Sequence, residues 1–251
     1  MGGEICQFLE WDSQFFQRRI ARVTVGRLTQ DLAERIIGWC EVQEIDCLYL
    51  LAELSDETTI RIAEQDGFHL VDVRVTMARQ LDADITSRIR IPRGSIRPAV
   101  PDDIPALRAI ARVSHGDSRF CFDSNFGAGR ANLLFETWID KSCRGYADAV
   151  LVADVEGHPF GYVTCKLQEG AEGQVGLCGV TAEAQGQGFG QQLVLEALRW
   201  FAGRGIKRVT VVTQGRNSAA QRLYQRCGFM TESTKLWYHR WRQAKPMDAG
   251  R

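Results

Sequence analysis

The N-terminal third of the chain shows two hydrophobic periods in turn. Residues 21–28 read as a strand, 29–43 as a helix with Ile36, Ile37 and Cys40 on one face, and 46–54 as a buried strand. A second helix is expected from Asp56 to about Gln65, stopped by Gly67, and an alternating strand follows over 68–80. A polar connector, DADITSRIRIPRG, occupies 82–94. Beyond it come a strand at 95–98 and a helix opening at Pro101, where proline and acids suit a first turn whose N–H groups have no partner. AVLVADVEG and FGYVTCKLQ then read as an antiparallel hairpin, and a short apolar run from Val175 leads into glycines. A long amphipathic run, QQLVLEALRWF, leaves them, followed by a β-branched strand at 209–213 and a helix that stops at Gly228. This pattern predicts an α/β protein in two parts, 1–90 and 94–243, with a flexible tail at 244–251.

The stretch VTAEAQGQGFG, Val180 to Gly190, lies at the strand-to-helix turn. The first N–H groups of a helix have no intrahelical acceptor, and the dipole's positive end points the same way, so such a turn suits a phosphate. Gly186, Gly188 and Gly190 let the backbone approach closely. A nucleoside-triphosphate loop would need a lysine, and none lies between Lys166 and Lys207. A dinucleotide fingerprint would need GxGxxG and a following ribose-binding acid, and neither is present. Further on, NSAAQRLYQRCGF begins at Asn217, a good N-cap.

Gln185, Gly188 and Gly190 resemble the Q/R-x-x-G-x-G/A loop of the GCN5-related N-acetyltransferases (GNAT). Asn217, Ala220, Leu223, Tyr224, Gly228 and Phe229 resemble the same family's N-x-x-A-x-x-L-Y-x-x-x-G-F segment. The resemblance implies a mixed central sheet flanked by helices, with acetyl-CoA as cosubstrate. It implies pyrophosphate binding at Gln185, Gly186, Gln187, Gly188, Phe189, Gly190 and Gln191, with Val180 and Asn217 also serving the cofactor. WDSQFF at 11–16 and the RFCFD and LFETWIDKS segments look most like bacterial TDP-fucosamine acetyltransferases. Those act on the 4-amino group of a dTDP-linked 4-amino-4,6-dideoxy sugar. The N-terminal part then reads as a smaller, degenerate GNAT-like domain. TTIRIAEQDGFHLVDVRVTMAR and SAAQRLYQRCGFMTESTKLWYHR share the order helix, Gly-Phe, long strand, with Ala63 in the place of Tyr224.

Acyl transfer from a thioester needs a positioned amine, donors for the developing oxyanion, and proton management at both ends. The resemblance makes Tyr224 the general acid for the departing thiolate. A phenol near pKa 10 and a thiol near 8.5 leave a gap, which hydrogen bonding to sulfur or a lowered tyrosine pKa must close. Residues 174–180 hold no carboxylate, so the sugar amine is expected to arrive neutral. His115 is the rival base, although a lone histidine after a helix usually faces solvent. Cys227 as a nucleophile lacks a neighbouring histidine in sequence.

Residues 113–148 mix aromatics with cations, which suits a base, a sugar and phosphates or else a connecting helix with a few core aromatics. Arg119, Phe120, Asp123 and Phe126 are the substrate-binding candidates. Lys+Arg and Asp+Glu both total 31, with no long basic run, so the chain lacks a nucleic-acid footprint. The eight cysteines include no CxxC pair, which favours reduced, buried thiols, no metal site and a cytoplasmic protein. No basic n-region or apolar h-region opens the sequence, and no run is long enough to span a membrane. An exposed edge among the N-terminal strands could serve a homodimer. Two other readings stay open at this point: a protein or peptide N-terminal acetyltransferase, and a non-catalytic acyl-CoA sensor.

Overall fold

A computed structural model describes residues 5–81 and 94–242. The expected connector over 82–93 and the tail at 244–251 lie outside the described residues. In chain order the first elements are β1 (Cys6–Phe8), α1 (Glu10–Phe16), β2 (Ile20–Val23), α2 (Gln30–Val42), β3 (Cys47–Glu53), α3 (Glu57–Gln65) and β4 (His69–Gln80). Next come β5 (Ser95–Pro98), α4 (Ile104–Ser114), the short α5 (Arg119–Phe122), α6 (Ala128–Lys141), β6 (Ala149–Val155), β7 (His158–Gln168) and β8 (Glu172–Val180). The chain ends with α7 (Phe189–Ala202), β9 (Arg208–Gln214), α8 (Ser218–Arg226) and β10 (Met230–Trp241).

The chain divides into two compact units, Met1–Val73 with Thr234–Arg251, and Arg74–Ser233. The division therefore falls inside β4 and inside β10, and not in the connector where the polar composition suggested it. In the first unit β2 runs parallel to β3, and β3 pairs antiparallel with residues 235–241 of β10. Leu236 and Tyr238 from that strand join a core of Ile36, Cys40, Leu48, Leu50, Ile62 and Phe68. In the second unit β8 runs parallel to β9, and β9 pairs antiparallel with residues 74–80 of β4. Each unit thus takes the outer neighbour of its central parallel strand from the other half of the chain. Antiparallel β5, β6 and β7 complete the second unit.

The two helix–Gly-Phe–strand segments close in the same way. Asp56 accepts from the Thr59 amide and Asn217 from the Ala220 amide, each filling one orphan donor of its helix. At the other ends Gly67 and Gly228 adopt φ of 78° and 80°. The Phe68 amide then donates to Ala63 O at 2.9 Å, and the Phe229 amide to Tyr224 O at 3.0 Å. The equivalence of Ala63 and Tyr224 holds at the level of backbone hydrogen bonds.

The strand expected at 21–28 is shorter, because residues 24–28 leave the ladder for a turn through Gly26. Thr29 caps the next helix, accepting from the Leu32 amide.

Burial of a leucine-sized side chain stabilises by roughly 1.5–3 kcal/mol, and the first unit draws both Leu236 and Tyr238 from beyond residue 234. A fragment ending at residue 90 is therefore expected not to fold cooperatively. Circular dichroism melts of that fragment check this, and a sharp two-state transition would refute it.

Candidate active site

The site is built in the second unit, where β8 parts from β9. Their parallel ladder runs from the Glu172–Arg208 pair to the Val175–Val211 pair and stops there, while β9 continues against β4 as far as Gln214. A bulge on the other flank of β8 marks the same place. The β7–β8 register jumps between Val163 and Cys165, and the Leu177 amide donates to the Thr164 hydroxyl at 2.8 Å. Past the bulge the Thr181 amide donates to Phe160 O at 2.8 Å. Antiparallel pairs alternate, so Val180 and Cys178 occupy the non-hydrogen-bonded positions relative to β7. Their backbone N–H and C=O groups are directed toward the β9 side, into the gap.

The glycine turn follows. Gly186 and Gly188 have φ of 75° and 90°, which only glycine adopts without strain, and Gly188 stands at the N-cap of α7. The first helical bond is from Gln192 N to Gly188 O. Among the described residues no backbone acceptor takes the amides of Gly186, Gly188, Phe189, Gly190 or Gln191. The amides of Gln185 and Gln187 instead donate to Ala182 O and Ala184 O. The expected run of phosphate donors is thus interrupted: these two glutamines spend their amides on the turn. Phe189 is buried and stacks on Phe160 at 6.0 Å, fixing the start of α7 on β7. Gly190 packs close to α8, where a Cβ would be in van der Waals contact with Leu223 at 3.4 Å. These features fit a substrate bearing a diphosphate and an amide-containing arm, the first on the free amides and the second along β8.

Tyr224 is buried and packs edge-on against Phe229 at 5.8 Å. Burial, with smaller contributions from Cys178 and Cys227, pushes its phenol well above the usual value of 10. A lowered tyrosine pKa is therefore not how the gap to the thiolate closes. Burial also raises the Cys178 and Cys227 thiols to about 12, so any thiolate in these surroundings becomes a stronger base. The same shift removes Cys227 as a nucleophile, because the thiolate is the reactive form.

His115 is half-buried. It stacks on Phe135 at 4.5 Å, and its Nε2 lies 2.9 Å from the hydroxyl of fully buried Tyr162. Burial pushes it down to about 4, so the imidazole is neutral at physiological pH.

Of the substrate-binding candidates, Phe120 and Phe126 are buried and pack edge-on at 5.3 Å, with Trp138 against Phe120 at 6.3 Å. Asp123 is buried too, its Oδ1 accepting from the Asn125 amide and side chain. These three are packed inside the segment. Arg119 lies over the Phe120 ring at 4.3 Å, at the start of α5. Phe122 is exposed, with Arg216 over its ring at 3.9 Å. Neither was singled out from sequence, because a four-residue helix has no periodicity to tell its outer face. Among the described residues no group of three or more His, Cys, Asp or Glu could hold a metal, and all eight cysteines are free.

Residues 117–229, which hold the glycine turn and Tyr224, match the family model described as Acetyltransferase (GNAT) family. The matched part of the chain belongs to the GNAT acetyltransferase family. It is similar to the dTDP-fucosamine acetyltransferase of Escherichia coli O6:H1, 28% identical over 92% of this chain and 96% of that one. It is also similar to the spore coat polysaccharide biosynthesis protein SpsD of Bacillus subtilis, 29% identical over 92% of this chain and 81% of that one. In structure it resembles a GCN5-related N-acetyltransferase from Sphaerobacter thermophilus, with a TM-score of 0.69 over 94% of this chain and 76% of that one at 19% identity. That likeness shows the fold.

Two outcomes test this geometry. Gly186→Val forces a β-branched residue into a left-handed turn at a cost of about 1–3 kcal/mol; the Kd for acetyl-CoA, measured calorimetrically, is expected to rise at least tenfold. His115 has its pKa lowered from 6.5 to about 4 in the folded protein. Its contribution to stability is complete above 6.5 and is lost as pH falls toward 4. The Tm of the wild type is expected to drop across that window more steeply than that of His115→Gln.

Proposed function

We propose that this GNAT enzyme transfers the acetyl group of acetyl-CoA to the 4-amino group of a dTDP-linked 4-amino-4,6-dideoxy sugar. The observation that carries the reaction is the buried Tyr224 phenol, near enough to Cys178 of β8 for that thiol to act on it; a thioester laid along this strand would bring its sulfur there. The sugar rests on the similarity to the dTDP-fucosamine acetyltransferase, which extends over nearly all of both chains.

In this reading the amine nitrogen attacks the thioester carbonyl carbon, and the carbon–sulfur bond breaks. The Val180 amide, aimed into the gap, donates to the carbonyl oxygen as it gains charge. The electron pair leaves on sulfur, and Tyr224 donates to it. Burial keeps the phenol protonated, so it remains a donor to the sulfur as charge develops there. The ammonium proton goes to solvent, since residues 174–180 offer no carboxylate and Gln174 instead takes a hydrogen bond from Gln168. Electron-withdrawing ring oxygens keep a sugar amine substantially neutral near pH 7. A neutral His115 tied to Tyr162 is not required as a base.

The glycine turn, Val180 and Asn217 are assigned to acetyl-CoA, and Arg119 to the acceptor. The N-terminal unit is proposed to be a degenerate GNAT-like domain with a structural role, and the protein to work in the cytoplasm.

Tyr224→Phe is expected to lower kcat at least tenfold while leaving the Kd for acetyl-CoA within about twofold; unimpaired turnover would remove the general-acid role. Thiol release from acetyl-CoA should be fast with dTDP-4-amino-4,6-dideoxyhexoses and absent with free amino sugars or a peptide bearing a free N terminus. Turnover confined to the peptide would overturn the assignment.

A further inference from the structure

We infer that the Ser114 hydroxyl and the Val180 carbonyl together hold the attacking amine, each accepting one of its two hydrogens. This rests on the reading of the reaction as direct attack of an amine on the thioester.

Ser114 is the last residue of α4 and meets β8 at Gly179. A Cβ at position 179 would lie 3.1 Å from both Cβ and Oγ of Ser114, so the bare backbone of glycine lets the two elements come together there. The next residue fixes this end of the helix. His115 Nε2 lies 2.9 Å from the Tyr162 hydroxyl, and its ring stacks on Phe135 at 4.5 Å. Burial keeps the phenol protonated and the imidazole neutral, so the hydroxyl donates and Nε2 accepts. The histidine that the sequence offered as a base is thus engaged in anchoring α4 to β7.

Ser114 Oγ then has two carbonyl oxygens within reach, Ile110 O at 2.8 Å and Val180 O at 3.4 Å. A hydroxyl has one proton to donate and two lone pairs. The contact with Ile110, one turn back in the helix, is the shorter, and it is the back-bond that a helical serine commonly makes. With the proton on that side, Ser114 Oγ and Val180 O stand 3.4 Å apart as two neighbouring acceptors. An NH2 group satisfies both at once, with its nitrogen about 2.9 Å from each oxygen.

The place also suits the chemistry. In a strand the N–H and C=O of one residue project to the same side, so Val180 turns its carbonyl into the gap beside the amide assigned to the thioester oxygen. An amine with both hydrogens on these oxygens keeps its lone pair for the thioester carbon. As the nitrogen–carbon bond forms, the nitrogen gains positive charge and both hydrogen bonds strengthen, which favours the transition state over the bound substrate. Neither oxygen takes the proton. It passes to solvent while the carbon–sulfur bond breaks and the electron pair leaves on sulfur.

The test compares wild type with Ser114→Ala on the acceptor amine and on its N-methyl derivative, with the Kd for acetyl-CoA measured calorimetrically. Alanine is the better helix former and removes only the oxygen, so the Tm should hold. The expected result is a fall of about tenfold or more in kcat/KM for the primary amine, with the Kd for acetyl-CoA within about twofold. N-methylation removes one of the two hydrogens, so it should slow the wild type far more than the variant. A kcat/KM for Ser114→Ala within about twofold of the wild type overturns the proposal, as does an equal methylation penalty in both proteins. So does weakened acetyl-CoA binding by the variant, which would give the Val180 carbonyl to the amide-bearing arm of the donor. The comparison is made on the dTDP amino sugar assigned above or, where the wild type acetylates only a different amine, on that amine, so the acceptor class can fail while the Ser114–Val180 pair is still decided. A wild type that acetylates no amine overturns both.

Discussion

The parting of β8 from β9 after Val175 is the constraint on which the site depends. A parallel ladder that continued to Val180 would consume the backbone groups of Cys178 and Val180 and leave no gap beside Tyr224. The Thr164 hydroxyl supports the parting by taking the Leu177 amide, which replaces a ladder bond with a side-chain bond and lets β8 bend. Beyond the bend β7 alone holds β8, while β9 is held by β4. One hydroxyl and one extra residue thus part an ordinary pair of strands and turn the Cys178 and Val180 backbone groups of β8 toward the gap, where Ser114 Oγ donates to Val180 O at 3.4 Å.

Around β7, β8 and α8 burial shifts several titratable groups in the direction that keeps them neutral. It raises the Tyr224 and Tyr162 phenols and the Cys178 and Cys227 thiols, and it lowers the His115 imidazole. A thioester needs no fixed charge to bind, and a phenol that cannot ionise remains a donor at any working pH. Partial positive charge is supplied instead by the backbone amides at the start of α7.

The strand arrangement carries a second constraint. β3 and β9 are each followed by a helix, a Gly-Phe stop and a long strand, yet each pairs with the strand that follows the other. Two segments with the same caps and the same left-handed glycine thereby complete each other's units. One of them has kept a tyrosine beside a glycine turn; the other has Ala63 and no such turn before it. The core of the first unit, with Leu236 and Tyr238 in it, is therefore assembled only when the whole chain is present.

Local chemistry was legible in the sequence. The glycines at 186 and 188, the caps at Asp56 and Asn217, the stops at Gly67 and Gly228 and the order of strands and helices follow from backbone sterics and hydrogen bonding within a few residues, which sequence specifies directly. Tertiary structure decided what depends on distant neighbours. Strand pairing is non-local, so the exchange between β4 and β10 and the true limits of the two units could not be read from composition. Burial is likewise a property of packing: it turned Phe120, Asp123 and Phe126 inward, left Phe122 exposed, raised the Tyr224 pKa and neutralised His115.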